Sequence, residues 1–308
     1  MDDERDWPIA EPDAMSIRQN YQRPLDALAD GDVAALVLRQ FVDPAICSQL
    51  IQRCVDRNLL YDPEQPESAE LDEQSIPEGY YREGTRDNAR QAWDDKSPQE
   101  FKRRIDIGSS LGYRGSDQPG FFEHASATNK LFEELFSGMP DLVAECYGAL
   151  QELSIDKRVE TAREKDGRLY GPAIIRAHYG GYAYKPHFDS VRNREKRTDY
   201  SIYNFECQFA GVLVLQNSEF KGRTAQSRIH RCFWEPEVAP YLQADNFPEY
   251  ARLNKIPSRE VILDPGDLYF FNTGCIHEVP AASGKDARIV LAMFIGYSPD
   301  NDLIHVWS

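Results

Sequence analysis

Residues 182–190 read Tyr-Ala-Tyr-Lys-Pro-His-Phe-Asp-Ser. If this stretch is extended, residues two apart share a face, and His187 and Asp189 project side by side. Upstream, Gly180-Gly181 supplies a turn into it from the run GPAIIRAHYG. Downstream, CQFAGVLVLQN, RIHRCFW, REVILDP, DLYFFNT, CIHEVP and ARIVLAMFIGY are likewise short runs rich in β-branched and aromatic residues. Turn residues punctuate them, Asp264-Pro265-Gly266-Asp267 most sharply. Eight strand candidates thus crowd into residues 170–298. That density predicts an α+β chain with a mainly β core, an antiparallel sandwich or barrel backed by helices.

The first half reads differently. Residues 1–23 form an irregular arm rich in proline and charge, and 25–39 carry apolar residues at helix-compatible spacing, interrupted at Gly31-Asp32. Asp43 is placed to cap a helix with Pro44 at its first position, and Ile46, Leu50, Ile51 and Cys54 follow at helical spacing. From 61 to 120 the sequence is dense in Glu, Asp, Pro and Gly and predicts long loops with short helices. Helical spacing returns over 127–153, with Leu131, Phe132, Leu135 and Phe136 on one face and a break at Pro140. The expected organisation is a single domain over 1–308. It has a helical, loop-rich support region (1–169), a β core (170–298) and an insert at 235–259, either a lid over the mouth or a surface excursion.

Composition narrows the function classes. A net charge of −16 argues against general binding to nucleic acid or anionic membrane, because phosphate binding needs clustered Lys and Arg. No apolar run approaches a membrane span, and the acidic opening MDDERDWPIAEPDAM lacks the basic and apolar regions of a secretory signal. The six cysteines are scattered without a CxxC pair, as expected of reduced core thiols. Cytoplasmic location is the default these features imply. The oligomeric state is left open, a homodimer included.

The candidate chemistry collects around the opening stretch. His277 follows Asp267-Leu268-Tyr269-Phe270-Phe271-Asn272, and with His187 and Asp189 it completes two histidines and one carboxylate. Such a facial set holds Fe(II) and leaves positions open for chemistry. Arg288 opens the face Arg288–Val290–Ala292–Phe294 of an otherwise apolar strand, where burial would demand an anionic partner. A guanidinium matches a carboxylate in bidentate fashion. Arg176, alternating with Ile175 and Ala177, either binds a co-substrate or substrate carboxylate or makes a surface ion pair.

The ordered set His187-x-Asp189, His277, Arg288 resembles the Fe(II)/2-oxoglutarate-dependent oxygenase superfamily over residues 170–298. The resemblance implies a double-stranded β-helix (a cupin-like jelly roll) with iron held by His187, Asp189 and His277. It implies 2-oxoglutarate anchored on Arg288, O2 as the other co-substrate, succinate and CO2 as co-products, and hydroxylation of a substrate C–H as the default, with desaturation, epimerisation or ring closure as the other oxidations open to it. Several relatives carry Ser or Thr two residues after this Arg. Here that position is Val290, so Tyr179 or Thr224 becomes the candidate hydroxyl partner, unless there is none. His178, Tyr182, Tyr184, His230, Trp234 and Asn272 are candidate pocket residues, with core packing as the plain alternative.

A small-molecule substrate in specialised metabolism is the expected reading. Three rivals stand beside it. In the halogenating branch of the superfamily chloride takes the carboxylate's place, and His178-Tyr179-Gly180 has that branch's His-x-Gly form, but the complete His187-x-Asp189 argues against it. A non-catalytic cupin-like binding protein would use the same residues structurally or for zinc. A protein hydroxylase would dock its substrate on 61–120.

Overall fold

The computed structural model describes residues 7–60, 80–83, 103–179, 183–220, 223–224, 226–280 and 286–308. The strands, in chain order, are β1 (Ile9–Ala10), β2 (Ala35–Leu38), β3 (Tyr80–Glu83), β4 (Arg103–Ile107), β5 (Arg158–Thr161), β6 (Ile174–Tyr179), β7 (Tyr184–His187), β8 (Cys207–Gln216), β9 (Glu219–Phe220), β10 (Arg223–Thr224), β11 (Ser227–Phe233), β12 (Ser258–Val261), β13 (Leu268–Asn272), β14 (Cys275–Val279), β15 (Arg288–Tyr297) and β16 (Leu303–Trp307). All eight strand candidates of the second half are present. They assemble with the others into a ten-stranded sheet, β1-β2-β13-β8-β15-β6-β4-β3 with β16 beside β15 and β5 beside β16, a four-stranded sheet, β12-β11-β14-β7, and a two-stranded ribbon, β9-β10. Pairing is antiparallel except between β1 and β2 and between β16 and β5.

Side-chain alternation builds the layers. On β15, Ile289, Leu291, Met293 and Ile295 enter a core shared with the helices, while Val290 and Ala292 enter a second core between the sheets. On β8, Phe209, Leu213 and Leu215 take the helix side and Ala210, Val212 and Val214 the inter-sheet side. A strand buried on both faces reads as a continuous apolar run, which is why FAGVLVL shows no polar alternation. The helices Pro44–Asp56, Gln118–Phe136 and Leu142–Ser154 cover the outer face of the large sheet. Asp43 caps the first of them, its carboxylate accepting the Ala45 N–H at 2.9 Å, with Pro44 at the first position. The second ends at Phe136, before Pro140, and buries Leu131, Phe132, Leu135 and Phe136.

Two expectations change. Residues 25–39 do not continue as helix. A helix over Pro24–Ala29 gives way to the fully buried β2, because the four-residue run Ala-Leu-Val-Leu suits either element and pairing with β13 decides it. The support region 1–169 is also not only helices and loops, since it gives β1 to β5 to the large sheet, and β16 joins from beyond residue 298.

The Asp264–Asp267 turn ties the two halves together. Gly266 has φ +95°, and its carbonyl accepts the Val42 N–H at 3.0 Å. A Cβ there would lie 2.2 Å from the Val42 carbonyl oxygen. Gly266→Ala is therefore expected to destabilise the protein by about 2 kcal/mol, read as a lowered urea midpoint at unchanged slope.

Candidate active site

His187 ends β7 and is the direct cross-strand partner of His277 on β14, which brings the two imidazole centroids to 4.2 Å. Asp189 lies two residues on, and its backbone is pinned. Its N–H donates to the Thr273 carbonyl at 3.0 Å, and its own carbonyl accepts the Thr273 hydroxyl at 2.8 Å. Phe188, between the ligand candidates, points the other way and stacks on Trp234 at 4.6 Å.

The three donors converge. Nε2 of His187 and Nε2 of His277 each stand 3.7 Å from Oδ2 of Asp189. Each ring turns its Nδ1 to a backbone carbonyl, Lys185 at 2.7 Å and Cys275 at 2.9 Å. A carbonyl only accepts, so both Nδ1 atoms carry protons, and both Nε2 atoms face the site. Burial and the neighbouring His277 push the His187 pKa down to about 3, so this ring is neutral at pH 7. Burial alone would raise the Asp189 pKa, but His187, His277 and Arg194 outweigh it and hold the carboxyl well below its usual range. Two imidazole Nε2 atoms and one carboxylate fit a divalent iron. Among the described residues no other trio of His, Cys, Asp or Glu gathers in this way.

A cavity of about 290 Å³ separates this trio from the large sheet. Three strands align polar residues across its far wall, with Arg288 on β15 opposite His178 on β6, and His178 opposite Arg104 on β4. One register step along, Arg176 faces Asp106. Arg104 and Asp106 form a bidentate ion pair at 3% and 0% exposure, and Arg176 Nε stands 3.7 Å from the same carboxylate. Arg288 is buried and in hydrogen-bond contact with the Tyr269 hydroxyl, which also meets Ser227. Burial raises the Tyr269 pKa, and Arg288 and Ser227 oppose that rise. Burial and then Arg288, Arg104 and Arg176 drive the His178 pKa well below 6.5, so this ring is neutral too, with its Nε2 3.1 Å from the Tyr184 hydroxyl. Val212, Phe271, Val290 and Ala292 supply the apolar wall.

The cavity thus brings together His187, Asp189, His277, Arg288, Arg176, His178 and Tyr184. It leaves out several candidates. Tyr179 packs on the helix-side core, because it alternates with His178. Thr224 lies on the small β9–β10 ribbon, away from the cavity lining, and the hydroxyl beside Arg288 is that of Tyr269, which Ser227 meets in turn. His230 bonds Glu278 at 3.1 Å on the outer side of the small sheet, because its neighbour Ile229 takes the position opposite His277. Trp234 backs Phe188. The amide of Asn272 donates to the Leu28 and Ala29 carbonyls and its side-chain oxygen accepts the Gly274 N–H, which fixes a turn. Tyr182 lies outside the described residues. The insert 235–259 forms two short helices, Ala239–Gln243 and Phe247–Leu253. Val238, Phe247 and Ala251 pack with Phe188 and Ile276, so the insert buttresses the back of the ligand strands and contributes no described residue to the cavity lining.

Sequence reasoning missed Arg104, Asp106, Tyr269, Ser227 and Arg194. The run Arg103-Arg104-Ile105-Asp106-Ile107 does alternate, and that alternation was the available signal inside a polar region.

A family model shows the family, and solved structures show the fold. The family model described as carrier-protein-independent halogenase WelO5 matches residues 80–308. The crystal structure of an N-substituted L-amino acid dioxygenase from Burkholderia ambifaria AMMD superposes with a TM-score of 0.53 at 14% identity, covering 92% of this chain and 90% of that one. The same dioxygenase in complex with alpha-ketoglutarate gives 0.50 at 14% identity and the same coverage. No curated protein matches the chain in sequence.

Proposed function

The chain belongs to the carrier-protein-independent halogenase WelO5 family, within the Fe(II)/2-oxoglutarate-dependent oxygenase superfamily, and from that premise we propose that it hydroxylates a small molecule. The observation that carries the reading is the complete trio His187, Asp189 and His277, with a neutral His187 and a charged carboxylate. Two facing sheets with the trio on one and Arg288 on the other support reading the sandwich as a double-stranded β-helix.

In this reading His187, Asp189 and His277 hold iron(II), and Arg288 with Tyr269 and Ser227 receives the far carboxylate of 2-oxoglutarate. Bound there, the pair supplies O2-dependent oxidation of a substrate C–H bond, with 2-oxoglutarate leaving as succinate and CO2. Arg288 binds and orients, since a buried guanidinium favours a carboxylate over water. Tyr269 adds a neutral hydrogen bond. Tyr269→Phe is expected to raise the 2-oxoglutarate dissociation constant about fivefold, roughly 1 kcal/mol, as measured by anaerobic titration.

Halogenation is the second reading, favoured by the family match. It requires a ligand position for halide where Asp189 stands, and the only His-x-Gly candidate, His178, sits on the opposite sheet beside Arg288. The test is incubation with iron(II), 2-oxoglutarate, O2, chloride and a metabolite extract, read by mass spectrometry. A metabolite gaining one oxygen, matched by succinate, is the expected product. A chlorine isotope pattern would replace hydroxylation with halogenation, and no succinate above the metal-free control would contradict both.

A further inference from the structure

Asp189 is followed by a tight π-type turn, Val191–Glu195. Its start is anchored where Ser190 Oγ accepts the Asn193 N–H at 2.9 Å and the Gln208 side chain accepts the Val191 N–H at 2.9 Å. Its end is set by Lys196 at φ +54°. Single π turns recur at functional sites because the extra residue re-aims a side chain. Here the turn carries Arg194 back over Asp189. Arg194 Nη1 donates to Asp189 Oδ1 at 2.6 Å and to the Phe188 carbonyl at 2.8 Å.

The two oxygens of Asp189 therefore have separate duties. Oδ2 faces both Nε2 atoms at 3.7 Å, and Oδ1 is taken by the guanidinium. We propose that Arg194 is a positioning residue that keeps Asp189 a one-oxygen metal ligand, an inference that rests on the metal reading above. A charge-assisted hydrogen bond to Oδ1 stops the carboxylate from turning both oxygens toward the metal. That preserves an open position which a chelating carboxylate would fill. Thr273 also holds the backbone of Asp189 through two hydrogen bonds, which remain when Arg194 and its contact with the Phe188 carbonyl are lost. The Arg194 side chain is 44% exposed, but its target is only 22% exposed. Outer partners of metal ligands commonly tune affinity in this way.

Cobalt(II) is the probe, because its visible bands weaken as its coordination number rises. Titrations compare the full chain with Arg194→Ala, Arg194→Gln and Arg194→Lys. Arg194→Ala, once saturated with cobalt, is expected to show a different and weaker visible spectrum, the mark of a second carboxylate oxygen on the metal. Arg194→Lys, which keeps a cation for Oδ1, is expected to recover the wild-type spectrum. Arg194→Gln, a neutral donor, should fall between them and carries the comparison if the alanine variant fails to fold. A wild-type spectrum in saturated Arg194→Ala and Arg194→Gln would overturn the proposal, even if affinity fell, since a merely structural role weakens binding without changing coordination. Failure of the wild type itself to bind cobalt would instead count against the metal site on which the proposal rests.

Discussion

Asp189→Ala is expected to lower iron(II) affinity by more than about 100-fold, beyond the roughly 10–100-fold that loss of an outer partner costs. The carboxylate supplies the one negative charge among the three donors, since a nitrogen donor brings none. Without it two nitrogens face a divalent ion. The metal-free variant should keep its fold, because the Asp189 backbone is fixed by Thr273 and Arg194 is exposed enough to be rehydrated. The two effects separate in a melting experiment. At a metal concentration 100 times the wild-type dissociation constant, binding stabilises the wild type by about 2.7 kcal/mol. The variant should show almost none of that gain. An equal gain in both proteins would remove Asp189 from the ligand set.

Arg288→Met has the second-largest expected effect, and on a different ligand. Methionine fills much of the same space but offers a carboxylate no cation. Truncating one partner of a buried, hydrogen-bonded charge pair costs about 2–5 kcal/mol, so 2-oxoglutarate should bind at least roughly 30-fold more weakly. Iron affinity should hardly move, because Arg288 belongs to the large sheet and the three metal donors to the small sheet and the segment after it. Equilibrium titration of each ligand in turn measures the split. If Arg288→Met weakened iron and spared 2-oxoglutarate, the assignment of the two walls would be reversed.

Much of this arrangement is legible in local periodicity. Alternation alone separates the two faces of Arg288–Tyr297, and the structure places them in the two cores accordingly. The same rule sets His187 and Asp189 apart from Phe188. What periodicity lacks is the parity of one strand relative to another. His230 looked like a pocket residue, yet Ile229 faces His277 and turns His230 outward. Tyr179 failed as a partner for Arg288 because it shares a strand with His178 but takes the other face. Tyr269 reaches Arg288 from a strand two places away in the sheet, a relation that no local pattern encodes. β4 was hidden for another reason. Its buried Arg104 and Asp106 neutralise each other, so a pair that behaves as core reads in sequence as surface.

The most direct test of the account is anaerobic addition of 2-oxoglutarate to the iron(II)-loaded protein, watching for the weak visible metal-to-ligand charge-transfer band. The account predicts a band that saturates at one 2-oxoglutarate per chain, needs far more of it in Arg288→Met, and is absent in Asp189→Ala. No band in the wild type, with zinc tightly retained instead, would contradict the oxygenase reading and leave a metal-binding protein that performs no oxidation.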